Sequence, residues 1–237
     1  MLFEVRDLSK RFGELHALSG VGFDVRAGEV LGLIGPNGAG KTTLFECLTG
    51  LLACDGEVRI EGRPVSAAER HKILFYVPDG IAPWGAQRLG WALDYALGFF
   101  GGRAELREEV TAQLDLAPLL RRPIAALSKG QRKRALLAIG LLMPQPALLI
   151  DEPFEGLDLR QTREVAAALR VHAGRGRTLF LSIHQIADAE RICDRLVLLS
   201  DGRVRGEGTA PELAAQAAAR GAGGPFDSLE EVFLALT

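Results

Sequence analysis

The chain has 237 residues, 28 of them Lys or Arg and 30 Asp or Glu, for a formal net charge of -2. That length suits one ordinary domain, or one domain carrying an inserted subdomain, and is enough to bury a proper core. The near-neutral balance gives no global electrostatic case for nucleic acid. Three cysteines (Cys47, Cys54, Cys193) without a C-x-x-C pair argue for a reducing compartment, and against a disulfide framework or a zinc site.

The N-terminal stretch MLFEVRDLSKRFG is charged from Glu4 onward and is not expected to be a signal peptide. FEVRDL, VGFDV and GEVRI alternate apolar and polar residues, as half-buried strands do. VLGLIG (Val30 to Gly35), ALLIDE (Ala147 to Glu152) and TLFLSIH (Thr178 to His184) are apolar throughout, the character of strands buried on both faces. LVLLSDGRV reads as a further strand followed by a glycine turn. KTTLFECLTGLL, RQTREVAAALRVHA and IADAERICDR read as helices between these strands. Such alternation predicts a parallel sheet with helices on both faces.

Residues 83–134 read mainly as helix and form an insertion. Within it Trp91, Tyr95 and Phe99 are four apart and share one helix face. Stripes of this kind are usually core; the alternative is a docking groove for a partner. The most apolar windows, Leu89 to Phe100 and Ala135 to Met143, fall short of the ~20 residues that cross a bilayer. Any membrane part must come from another chain. Near the C-terminus, AAQAAARGAGG reads as a helix ending in a loose linker, and SLEE (Ser228 to Glu231) as a capping box before VFLAL.

The strongest chemical signal is GPNGAGKT, Gly35 to Thr42, a G-x-x-x-x-G-K-[ST] motif between a buried strand and a helix. Its glycines let backbone N–H groups close around phosphate oxygens, and the helix N-terminus adds its positive end. Lys41 can reach the β- and γ-phosphates, and the Thr42 hydroxyl can ligate Mg²⁺. LLIDEP ends a buried strand in two carboxylates. Asp151 there would hold Mg²⁺, and Glu152 would polarise an attacking water. His184 ends a strand of the same sheet and should face the same edge.

Together these residues resemble the nucleotide-binding subunit of ATP-binding-cassette transporters, over nearly the whole chain and in the family's motif order. Phe12 matches the aromatic that stacks on adenine. GPNGAGKT matches Walker A, LSKGQ (Leu127 to Gln131) the signature motif, and ALLIDE Walker B with the catalytic glutamate. EGLD (Glu155 to Asp158) matches the D-loop and His184 the switch histidine. The resemblance implies one cassette ATPase domain over residues 1–237, with a helical insertion near 83–134 and a tail near 210–237. Its fold class would be α/β: a P-loop NTPase core with a mainly parallel sheet, an N-terminal antiparallel β subdomain and the inserted helical subdomain.

It further implies that ATP is held by Phe12, Gly35, Pro36, Asn37, Gly38, Ala39, Gly40, Lys41, Thr42 and Thr43. Ser128, Gly130, Gln131 and Asp158 would contribute from the facing chain of a head-to-tail homodimer or heterodimer. Mg²⁺ would sit on Thr42 and Asp151, with Glu152 and His184 catalytic. An integral membrane permease on a separate chain is the implied partner, no nucleic acid is expected, and the location would be the cytoplasmic face of the cell membrane. The ending FDSLEEVFLALT resembles exporter-type subunits; the alternative is a cassette ATPase acting on ribosomes or DNA.

Two departures from the family pattern stand out, at Lys129 and at Asp79. Lys129 replaces the usual glycine of the signature motif, where a cation suits a polyphosphate. Arg132, Lys133 and Arg134 read mostly as a charged helix face. FYVPDG places Asp79 where the family has Gln. Asp79 is either a catalytic residue and Mg²⁺ ligand in the Gln's place, or part of a plain Asp-Gly turn.

Overall fold

The computed structural model describes residues 1–81, 84–221, 226 and 228–237. The strands are β1 (Phe3–Phe12), β2 (Leu15–Val25), β3 (Val30–Ile34), β4 (Asp55–Ile60), β5 (Arg63–Pro64), β6 (Leu74–Val77), β7 (Ala147–Asp151), β8 (Thr178–Ile183), β9 (Arg195–Ser200) and β10 (Arg203–Gly208). The helices are α1 (Lys41–Leu48), α2 (Ala67–Arg70), α3 (Leu89–Phe100), α4 (Arg107–Gln113), α5 (Lys129–Leu142), α6 (Leu159–Gly174), α7 (Ile186–Ile192), α8 (Ala210–Ala219) and α9 (Leu229–Leu236).

The core sheet has the order β10-β9-β3-β8-β7-β6, parallel except for the edge strand β10. Because side chains alternate along a strand, each apolar run supplies two layers. Leu31, Leu33, Leu149, Phe180, Val197 and Leu199 face one core, while Leu148, Ile150, Leu179, Leu181, Leu196 and Leu198 face the other. The second core is covered by helices, including α5 and α6. The first is covered by α1 and by an antiparallel sheet of order β2-β1-β4-β5. Helices thus lie on both faces as expected, and the antiparallel β subdomain shares with α1 the cover of the first core. The alternating strands lay Val5, Leu8, Val21, Phe23 and Val25 onto it, with Phe180 ringed by Phe23 at 5.4 Å and Phe45 at 4.9 Å.

Between β6 and β7 the described chain carries α3, α4 and α5, with no strand among the described residues there and with loops and single 3-10 turns joining the helices. α5 passes through residue 134 as one helix to Leu142, so the expected insertion boundary falls at no break. It packs close to the sheet because Gly140 has no side chain: a Cβ there would lie 2.6 Å from a Val77 methyl. Pro83 lies outside the described residues, as does most of the expected linker after α8. Ser228 caps α9 by accepting the Glu231 N–H.

Two side-chain expectations are overturned here. α3 buries Leu89, Ala92, Leu93, Ala96 and Leu97, and leaves Trp91, Tyr95 and Phe99 at 43%, 41% and 68% exposure. The aromatic stripe is therefore surface, its rings stacked in series at 5.0 and 5.8 Å. The helix is apolar nearly all round, so periodicity alone could not choose its buried side.

The basic run is the reverse case. Lys133 and Arg134 are each only 4% exposed. A buried cation needs partners. Arg134 Nη1 donates to the Leu114 carbonyl at 2.9 Å and meets Asp115 at 3.3 Å, fastening the end of α4 to α5. Arg134→Ala should therefore lower the unfolding free energy by about 1.5–3 kcal/mol, the range for a hydrogen bond from a charged group. Arg163→Ala, on the exposed face of α6, should change it by no more than about 0.5 kcal/mol. Urea unfolding of both variants beside wild type checks the contrast; equal small effects would show that Arg134 ties nothing.

Candidate active site

Parallel strands deliver their C-terminal ends to one edge of the sheet. β3 leads into the Gly35–Gly40 loop, β6 to Asp79, β7 to Asp151 and Glu152, and β8 to His184. In the loop, Gly40 takes φ +102° to cap α1, and a Cβ on it would lie 2.7 Å from the Ala17 carbonyl. Gly35 is tighter still, with Leu199 O at 2.3 Å from a Cβ. The loop thus exists only with glycine at these positions. Lys41, nearly buried, donates to the Gly35 and Pro36 carbonyls at 2.8 and 3.2 Å, its ammonium folded over the loop.

Asp151 is buried and held by hydroxyls. Thr42 Oγ1 donates to its Oδ2 at 2.7 Å, Tyr76 Oη donates to the same oxygen at 3.3 Å, and Ser182 Oγ donates to Oδ1. Ser182 is opposite Asp151 in the β7–β8 register and also accepts the Glu152 N–H at 3.0 Å. Glu152 has φ +49°, an unusual conformation for a residue with a side chain, and one that clusters at functional sites. Its carboxylate lies 3.9 Å from the Lys41 ammonium. Burial raises the Glu152 pKa above the usual carboxylate range, opposed mainly by Lys41. Burial also pushes the Tyr76 phenol up, keeping it a neutral donor. Glu152 and His184 line one cleft of about 260 Å³ together with Phe154, Glu155 and Gln185.

The signature residues form a second group. Ser128 caps α5, accepting the Gln131 N–H at 3.2 Å while Gln131 Oε1 accepts the Ser128 N–H at 3.0 Å. The Gln131 side chain is therefore engaged within the chain. Gly130 packs where a Cβ would lie 3.0 Å from the Gly156 carbonyl, and Asp158 caps α6 in the same reciprocal way with Gln161. The Lys129 ammonium is held by Glu155 at 2.6 Å, so the cation expected to serve a polyphosphate already has a carboxylate. Phe12 closes β1, 46% exposed, with the Lys10 ammonium 5.0 Å from its ring centre.

Sequence reasoning missed three residues here: Tyr76, Ser182 and Lys133. Ser182 was open to inference, lying two residues before His184 on a strand beside β7. Lys133 was hidden in a basic run. It donates to Asp79 Oδ1 at 2.5 Å and to the Asp151 carbonyl at 3.3 Å, a partner that neither reading of Asp79 anticipated.

A family model described as ABC transporter matches residues 18–155. The chain is 37% identical over 233 residues to the hemin import ATP-binding protein HmuV of Streptomyces coelicolor, covering 88% of this chain and 78% of that one. It is 35% identical over 214 residues to the Nod factor export ATP-binding protein I of Burkholderia orbicola, covering 86% and 70%. It is 30% identical over 221 residues to the SkfA peptide export ATP-binding protein SkfE of Bacillus subtilis, covering 91% and 92%. The fold superposes on the solved ATP-binding subunit of an ABC transporter with a TM-score of 0.87 and 30% identity, covering 100% of this chain and 99% of that one.

The chain belongs to the ABC transporter family. It is an ATP-binding subunit of such a transporter and an ATPase. Among the described residues no helix is long and apolar enough to cross a membrane.

Ser182 satisfies two groups at once, so Ser182→Ala should destabilise the fold by about 1–3 kcal/mol. It should also lower ATP turnover, because Asp151 and Glu152 lose a shared anchor. Thermal unfolding and steady-state hydrolysis on the same preparation check this; unchanged turnover would remove Ser182 from the site.

Proposed function

We propose that this chain powers an exporter, hydrolysing Mg-ATP in a site completed by a second cassette chain. The observation that carries the two-chain reading is that, among the described residues, the Ser128 side chain is bonded only within its own helix cap and to no group of the P-loop, Asp151, Glu152 or His184. The P-loop, Asp151, Glu152 and His184 gather at the strand ends. Ser128 caps a helix of 14 residues and is exposed, with its own hydrogen-bonding needs met by Gln131. An exposed serine hydroxyl on a helix N-terminus is suited to a phosphate brought by another molecule.

The donor set fits Mg²⁺. Thr42 and Asp151 offer two hard oxygen ligands 2.7 Å apart, leaving the remaining positions to nucleotide oxygens and water. The ion would neutralise charge on the phosphates. Lys41 would leave the loop carbonyls for the terminal phosphates, and Phe12 would stack on the base. Glu152 would orient the attacking water and take its proton, with His184 contacting the terminal phosphate from the same cleft. Ser128, Gly130 and Asp158 would act on the nucleotide of the facing chain.

A permease on a separate chain would be driven by closing and opening of the pair, at the cytoplasmic face of the membrane. The exposed rings of α3 suit such a partner. Export is supported by the tail's resemblance to exporter subunits. It is also supported by SkfE, of these three relatives the one matched most nearly end to end. The burial of Lys133 and Arg134 leaves little of the basic run for nucleic acid.

Glu152→Gln should bind ATP, lose at least about 100-fold in turnover, in the range for a positioned general base, and accumulate as a dimer under ATP. Hydrolysis and light scattering read both, and near-normal turnover would exclude Glu152 as the base. Glu152 must be charged to accept a proton, and burial raises its pKa. The acid limb of kcat/KM should therefore lie above ~4.3, the value of an exposed glutamate; activity persisting down to that pH would count against the assignment. For the partner, affinity capture of the tagged chain from gently solubilised membranes should recover a polytopic protein in stoichiometric amount. Recovery with ribosomes instead would end the transport reading.

A further inference from the structure

The Asp79–Lys133 pair brings together three parts of the structure. Asp79 lies two residues beyond β6, on a loop continued by Gly80 at φ +72°. Lys133 is in the second turn of α5, five residues after Ser128. The same ammonium also donates to the Asp151 carbonyl, the main-chain oxygen just before Glu152. Among the described residues Asp79 is the only carboxylate within salt-bridge distance of Lys133. An ammonium this buried is held in place by its one counter-ion. A cleft of about 200 Å³ lined by Asp79, Gly80, Ile81 and Lys133 lies beside the pair and leaves the loop room to move.

We propose that Lys133 is a positioning residue that latches the Asp79 loop to the signature helix, so that Asp79 acts through this ion pair and not as a Mg²⁺ ligand. The Ser128 end of α5 is stiffened by its reciprocal cap, so a displacement at Lys133 is carried to Ser128 and Gly130. Through the Asp151 carbonyl the same ammonium fixes the start of the Glu152 turn. One ion pair thus sets the spacing between a chain's own carboxylates and the helix end it presents to the facing nucleotide. This meaning for α5 rests on the two-chain site proposed above.

The two charges belong to each other, so removing either harms the site and removing both restores neutrality. Asp79→Gln leaves an unneutralised ammonium beside Asp151. Lys133→Gln leaves a free carboxylate and frees the loop. In Asp79→Gln/Lys133→Gln, two amides can hydrogen-bond, and the amide on α5 retains a donor for the Asp151 carbonyl.

The test is steady-state hydrolysis by the full chain, recording kcat, KM for ATP and the Mg²⁺ concentration for half-maximal rate. Each single variant should lose about tenfold in kcat with KM within about twofold of wild type, an effect on positioning and not on nucleotide affinity. The double variant should recover at least about threefold of that loss, and Lys133→Arg, which keeps the charge, should stay near wild type. Losses that multiply in the double variant would overturn the latch. So would a Lys133→Arg protein that folds but is as slow as Lys133→Gln. A raised Mg²⁺ requirement in Asp79→Gln, with or without the second substitution, would make Asp79 a metal ligand instead. Turnover per chain that is independent of protein concentration would count against the two-chain site, while the ratios among variants would still judge the ion pair.

Discussion

The arrangement of the site depends on a carboxylate that the fold buries without pairing it, among the described residues, with a cation. Asp151 stands at the end of an apolar strand and accepts hydrogen bonds from three hydroxyls, on α1, β6 and β8. A buried charge is tolerated only with such partners. Each hydroxyl also fixes an element: Thr42 sets the first turn of α1 against β7, Tyr76 the edge strand, and Ser182 the strand that leads to His184. The loop before α1 is thereby held with the Lys41 ammonium 3.9 Å from the Glu152 carboxylate. A cation arriving with a nucleotide would meet oxygen ligands already drawn together.

The covering of the sheet decides which parts can move relative to this centre. One face carries a second β-layer whose aromatic and branched side chains interlock with Phe45 and Phe180. The other face carries helices that include α5 and α6, and α5 runs from the exposed Ser128 to the buried interior. Its basic residues are fastened at two points, Arg134 to the end of α4 and Lys133 to the Asp79 loop and β7. The helical block is therefore joined to the sheet by polar contacts as well as packing. Polar contacts of this kind can exchange partners with little change in buried apolar area, which would suit the opening and closing proposed for the pair.

Much of this was legible in the chain. The Gly35–Thr42 loop, the strands ending in Asp151 and His184, and the helices between them follow from residue type and period, because a strand buried on both faces leaves few alternatives. What could not be read depended on contacts between distant segments. Lys133 and Arg134 look like solvent-facing residues until the carbonyls of Asp151 and Leu114 come within reach. Trp91, Tyr95 and Phe99 look like core because α3 has no polar side to mark its outside. The Asp79 site was flagged by its departure from the family pattern, but its partner was invisible until the fold brought β6 and α5 together.

The exposed rings of α3 also give the protein an optical property. Its two tryptophans, Trp84 and Trp91, touch each other at 6.2 Å between ring centres, and both also stack on or abut Tyr95. All indole emission of the chain therefore originates in one patch of the helical block, remote in sequence from the P-loop. Anything that covers that patch or alters its wetting would change the colour of the fluorescence, while events confined to the β-layer would leave the spectrum as it was. The molecule carries a native, label-free gauge of what happens on this surface.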